Sequence, residues 1–194
     1  MKAKIKTNII EKAIEEHFSV IKKIKGMEKM LVNISEEIVK TFKGGGKVLF
    51  CGNGGSAADA QHLAAEFSGK FLKDRKPLFS EALHTNTSFI TAVANDYDFN
   101  TIYERAVLAK GKKKDILFGI STSGKSENIL RAIKQAKNLD MITIFLTGKI
   151  KNPEELANIC SYIIQVPSTS TPRIQECHIL IGHAICELVE EILF

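Results

Sequence analysis

Twice in this chain a short, wholly apolar run ends in a glycine- or serine-rich loop that opens a helical stretch: "KVLFCGNGGSAADAQHLAAEF" from Lys47 to Phe67, and "DILFGISTSGKSENIL" from Asp115 to Leu130. A strand that is apolar at successive positions, rather than at alternate ones, is buried on both faces. That demands a parallel sheet with helices on each side. "MITIFLTG" and "SYIIQV" read as further strands of the same kind, and "LFSEAL" as a weaker one. Ahead of them, apolar residues recur at helical spacing at Ile10, Ile14, Phe18 and Ile21, then at Met30, Ile34, Ile38 and Val39. This pattern predicts two opening helices between Thr7 and Phe42, broken at Gly26. A helix is expected around Asn128 to Lys137, and another from about Pro172 to Leu193. The fold class is α/β. No repeat or linker divides the 194 residues, which are enough for one domain with its own core.

In an open parallel sheet, ligands bind beyond the C-terminal ends of the strands. That is where "CGNGGSAAD" and "STSGKSEN" must lie, at one edge of the sheet. Each loop opens a helix, so each offers free backbone N–H groups and the positive end of a helix dipole, which suit a phosphate. Ser121, Thr122, Ser123 and Ser126 add four hydroxyls to the second loop, more than an N-cap and its turn require.

That second loop also spells "GISTSGKS" from Gly119 to Ser126, which satisfies the nucleotide P-loop pattern letter by letter. The surroundings contradict it. A P-loop needs its first glycine in the loop, whereas Gly119 sits inside the apolar strand. It also needs a partner strand ending in an aspartate to hold magnesium, and "KVLFC", "MITIFL" and "SYIIQV" end without one. The phosphate bound here is expected to belong to a small molecule.

The formal net charge of +5 comes from lysines scattered through helical stretches, with one short cluster from Lys110 to Lys114. With no basic stripe and no interleaved aromatic platform, a nucleic-acid partner is not expected. Cys51, Cys160, Cys177 and Cys186 form no C-x-x-C pair and mostly lie in apolar runs, as reduced core thiols of a cytoplasmic protein do. No run approaches the length of a membrane span, and the N-terminus lacks the apolar core of a signal peptide.

The ionisable residues form two sets. His62 and Glu66 stand four apart, on one face of the helix that the first loop opens. Such a pair can share a metal, divide acid and base roles, or be a plain surface pair. "RIQECHILIGHAICELVEE" carries Gln175, Glu176, His178 and His183. His183 lies beside the expected buried face of Ile174, Cys177, Leu180, Ile181, Ala184, Ile185 and Leu188, where a histidine is more often a hydrogen-bonded core residue. Gln175 and His183 are eight residues apart, about 12 Å along a helix axis, so both reach one ion only by stretching.

"CGNGGSAADAQHLAAEFSGKF", "AVANDYDFN", "GISTSGKSENIL" and "RIQECHILIGHAICELVE" together resemble the phosphoheptose isomerases, a family of sugar-isomerase (SIS) domain proteins, in order from about Phe42 to Leu193. The resemblance implies a three-layer sandwich with a mainly parallel, flavodoxin-like sheet as a single SIS domain over 1–194. Residues 1–45 would be helices used in oligomer packing and 46–194 the α/β core. It implies that Ser121, Thr122, Ser123 and Ser126 hold a phosphate, and that Asn53, Gly54, Gly55, Glu66, Asn95, Asp96 and Gln175 contact the rest of the substrate. It implies Zn2+, one per subunit, on His62, Glu66, Gln175 and His183, with Glu66 and His183 also serving as base and acid. It implies a cytoplasmic homotetramer with sites between subunits, which would relieve the strain between Gln175 and His183. Two positions depart from the family pattern: Lys125, where many relatives carry a smaller polar residue, and Pro172, where some carry an acid.

The chemistry implied is aldose–ketose isomerisation between sedoheptulose 7-phosphate and D-glycero-D-manno-heptose 7-phosphate through a cis-enediol, supplying heptose for lipopolysaccharide, capsule or another surface glycan. The competing class is a non-catalytic SIS protein that binds a phosphosugar as a regulator or binds a replication-initiation protein. In the member of that class this chain most resembles, the equivalents of Glu66 and His183 are not an acid and a histidine; both are present here. A third reading is isomerisation of a different phosphosugar.

Overall fold

The computed structural model describes residues 2–194, with side chains from residue 8 onward. Five strands form one wholly parallel sheet: β1 (Val48–Gly52), β2 (Ser80–Ala82), β3 (Ile116–Ser121), β4 (Ile142–Thr147) and β5 (Tyr162–Gln165). Their spatial order is β2-β1-β3-β4-β5, so the winding direction reverses between β1 and β3. This is the flavodoxin-like order, in which the crevice at the reversal is the binding site.

Among the described residues, eight helices accompany the sheet: α1 (Lys2–Ile24), α2 (Glu28–Lys43), α3 (Gly55–Ser68), α4 (Thr87–Asp96), α5 (Ile102–Lys110), α6 (Glu127–Asn138), α7 (Glu154–Ala157) and α8 (Thr171–Leu193). The break expected at Gly26 is present, with Gly26 at φ 105°, a conformation that glycine adopts without strain. The expected strands are all present, each displaced by a residue or two. Two helices not foreseen, α4 and α5, join β2 to β3 through a 3₁₀ turn at Phe99–Thr101.

Successive strand residues feed two cores, as continuous apolar runs require. Phe50, Phe118, Ile144 and Ile164 face the layer of α2, α3 and α8, while Leu49, Cys51, Leu117 and Phe145 face that of α5 and α6. All are at most 1% exposed. Gly119 is a mid-strand residue paired with Cys51 and Phe145. A Cβ there would stand 3.0 Å from Ile129 and 3.1 Å from Ile133, so this glycine lets α6 lie close on the sheet. The P-loop reading fails on structure as it does on sequence.

α8 is the second spine of the fold, packed on α2, α3 and α1. It buries His178 completely, and burial pushes the imidazole down to about 4, partly opposed by the Thr147 backbone nearby. A histidine that charges more readily when unfolded loses its share of stability as pH falls from about 6.5 through about 4. Asp59 has the opposite sign: burial pushes its carboxyl up to about 6 against the opposing pull of His62, so acidification favours its folded form. Comparison with His178→Gln isolates the histidine. In urea unfolding between pH 7 and 4.5, the wild type should lose about 2 to 3 kcal/mol more than the variant. Parallel pH curves would mean that His178 does not titrate with unfolding.

Candidate active site

The two loops meet at the reversal point. At the end of β1, Tyr103 Oη donates 2.5 Å to the carbonyl of Gly52, and Gly54 turns the chain with φ 56° so that α3 begins at Gly55. At the end of β3, Gly124 makes the turn with φ 67°, and α6 begins after Ser126. The Ser121 and Ser126 hydroxyls share a hydrogen bond of 2.9 Å across the loop, and Ser123 Oγ accepts from the Lys125 N–H at 3.2 Å. The Ser126 hydroxyl accepts no cap hydrogen bond from α6, which leaves the first N–H groups of the helix free of that cap.

A residue pair joins the loops. Asn53 and Asn128 exchange two amide hydrogen bonds, at 2.9 and 2.8 Å, and Asn128 is only 2% exposed. Sequence reasoning singled out Asn53 and passed over Asn128, because a buried asparagine in the first turn of a helix resembles an ordinary cap. On the outer side of the second loop, a cavity of about 600 Å³ is lined by Thr122, Ser123, Lys125, Lys149 and Lys151. Lys125, the departure from the family pattern, therefore adds positive charge beside the hydroxyls.

Two turns along α3, its side chains meet α8. Ligand atoms of His62, Glu66 and His183 all lie within 4.8 Å of one another. His62 Nε2 is 3.0 Å from Glu66 Oε1, and the rings of His62 and His183 meet edge to face with centroids 4.9 Å apart. Phe71 covers the far side of His183 at 5.5 Å. The approach depends on Gly182, where a Cβ would stand 2.5 Å from Leu63. A glycine there lets α8 close on α3.

His183 Nε2 is buried and has no hydrogen-bond partner among the described residues. Two imidazoles and a carboxylate converging on such an orphaned nitrogen suit a divalent cation that takes nitrogen and oxygen ligands, Zn2+ among them. Gln175 arrives at a different point: its amide lies against Gly55, where a Cβ would come within 2.2 Å of Nε2. That is seven residues ahead of His62 on α3. Asn95 and Asp96 end α4, exposed, with Asn95 Nδ2 donating 2.9 Å to Asp96 Oδ1. Among the described residues, no hydrogen bond ties them to either loop or to His62 and Glu66.

A parallel sheet of this order, with a hydroxyl loop at its reversal point and a His/Glu cluster where α3 meets α8, has the architecture of a SIS domain, and the SIS domain family model matches residues 12–148. The chain belongs to the phosphoheptose isomerases of that family. It is 46% identical over 184 residues to phosphoheptose isomerase 1 of Campylobacter jejuni, covering 95% of this chain and 98% of the relative. It is 52% identical over 163 residues to the phosphoheptose isomerase of Aquifex aeolicus, 84% of each chain. The solved phosphoheptose isomerase of Neisseria gonorrhoeae superposes with a TM-score of 0.88 at 37% identity, covering 95% of this chain and 98% of that one. Likeness of this depth over nearly the whole chain makes the protein an enzyme of the isomerase class, and a phosphosugar isomerase in particular.

Proposed function

We propose that the protein interconverts sedoheptulose 7-phosphate and D-glycero-D-manno-heptose 7-phosphate. The observation that carries this reading is the convergence of Glu66 and His183 within 4.8 Å, at the helix that the first loop opens. Ser121, Thr122, Ser123 and Ser126, with the N-terminus of α6, hold the phosphate. Asn53, Gly54, Gly55, Asn95, Asp96 and Gln175 orient the sugar chain. Glu66 as carboxylate takes a proton from C1 of the ketose and returns one to C2, while His183 moves the proton between the two oxygens. The intermediate is the cis-enediol. Zn2+, held by His62, Glu66, Gln175 and His183, would supply Lewis-acid polarisation of the carbonyl.

The protein works on this reading as a homotetramer, its α1 helix supplying contact surface. Ile9, Ile10, Ile14 and Phe18 of α1 are between 51% and 65% exposed in the single chain, far more apolar surface in one row than an isolated helix face keeps in water. All four cysteines are free, in keeping with a reducing cytoplasm. The heptose 7-phosphate would feed a surface glycan such as lipopolysaccharide or capsule.

Incubation with sedoheptulose 7-phosphate in D2O, followed by NMR with and without a chelator, tests the reading. Appearance of the aldose with deuterium at C2 is expected, and chelator sensitivity would support the metal. A folded, metal-supplied protein that leaves the ketose unchanged would favour the regulatory binding protein instead. Ser123→Ala tests the phosphate loop: KM should rise roughly 10-fold, the worth of one hydrogen bond to a charged group, with kcat nearly unchanged. A KM within twofold of wild type would remove Ser123 from the phosphate site.

A further inference from the structure

Glu190 and Arg75 are each only 2% exposed at the side chain and form a pair with Nε and Oε1 2.8 Å apart. Charges so buried are costly unless every polar atom is used, and here nearly all are. Glu190 also accepts from the backbone N–H of Phe71, Leu72 and Lys73 at 3.3, 2.8 and 2.8 Å. Burial alone would raise its carboxyl, yet those N–H groups and the Arg75 guanidinium outweigh that and hold it below the usual carboxylate range. The rest of the Arg75 fork grips the end of α3. Nη2 donates to the carbonyl of Glu66 at 2.8 Å, and Nη1 to that of Phe67 at 2.9 Å. Those are helix-terminal carbonyls that have no partner within the helix.

The two ends of this clamp are the two halves of the acid–base pair. Arg75 holds the backbone of Glu66 itself. Glu190 lies seven residues after His183, two turns on and along the same face of α8, and it fixes the backbone of Phe71, whose ring covers His183. One buried ion pair therefore ties α3 to α8 next to the gap that the two reacting side chains must keep.

We propose that Arg75 and Glu190 are positioning residues that set the distance and angle between Glu66 and His183. The inference rests on the reading of those two as base and acid. Arg75→Lys keeps the charge beside Glu190 and removes the fork that reaches Glu66 and Phe67; Glu190→Gln keeps the volume and an accepting oxygen. In holoenzyme that melts within a few degrees of wild type, either change should lower kcat about 10- to 100-fold, the cost of losing an outer-shell partner, with KM within about twofold. With ¹³C-labelled histidine, the His183 ring resonance should move as its tilted contact with the Phe71 ring loosens.

A folded variant with wild-type kcat overturns the proposal, and so does a fallen kcat with an unmoved His183 resonance. Having two variants guards against one of them failing to fold. If the wild type itself leaves sedoheptulose 7-phosphate unconverted, the proposed substrate falls separately, and the positioning claim is decided by the resonance alone.

Discussion

Glu66→Gln should lower kcat by about 10²- to 10⁴-fold, the usual worth of a positioned general base. In activation energy that is about 2.7 to 5.5 kcal/mol. The substitution is nearly isosteric, so the amide oxygen can still stand 3.0 Å from His62, the place Glu66 Oε1 occupies; what is lost is the ability to take a proton. KM should stay close to wild type, because the hydroxyl loop proposed to hold the phosphate lies on different elements. His183→Ala should cost a similar factor, and the double variant little more than either single one, since groups that act together on one proton path are not additive. Both residues are also expected metal ligands, so bound zinc should be quantified in each preparation. A loss of kcat with the metal retained assigns the loss to proton transfer. Near-wild-type turnover by both single variants would remove the assigned roles.

The sheet was readable from sequence because burial on both faces leaves a largely apolar run, as in β1, β3 and β4, while the edge strand β5 keeps an apolar run with only Ile164 buried. The region between β2 and β3 was not. α4 has a single fully buried residue, Val93, and α5 is nine residues long, so neither displays a long apolar stripe. The His62, Glu66 and His183 cluster was half readable. His62 and Glu66 meet by helical spacing alone, a local rule. Their meeting with His183 depends on how close α8 comes to α3, which is decided by Gly182 against Leu63, more than a hundred residues apart in sequence. The same holds for Arg75 and Glu190: each looks like an ordinary surface charge until the fold buries both.

Within the single chain, the four residues that the family resemblance names as metal ligands do not all stand together. α3 and α8 lie side by side, with Gln175 against Gly55 at one end and His183 beside His62 and Glu66 further along. Three donors converge within one chain, and the fourth stands at the loop. Gln175 is thus as well placed to orient substrate emerging from the first loop as to serve the ion.

Gly55→Ala and Gly52→Ala should separate site from fold. At Gly55, φ is not in the left-handed region and the only close obstacle to a Cβ is the end of the Gln175 side chain, 2.2 Å away. A flexible side chain can move aside, and alanine is a better helix residue than glycine, so Tm should stay within a few degrees of wild type or rise. Displacing Gln175 should nonetheless lower kcat/KM about 10- to 100-fold, as loss of a ligand-orienting group does. At Gly52 the obstacle is backbone: a Cβ would stand 2.3 Å from the carbonyl oxygen of Ser56. Nothing there can rotate away, so the start of α3 must shift and strain the Tyr103 bond. Overpacking of this kind costs about 1 to 3 kcal/mol, a drop in Tm of roughly 3 to 10 °C for a chain of this size. Thermal melts beside steady-state kinetics read both variants. If Gly55→Ala proved fully active, the place that Gln175 takes against Gly55 would have no part in the reaction.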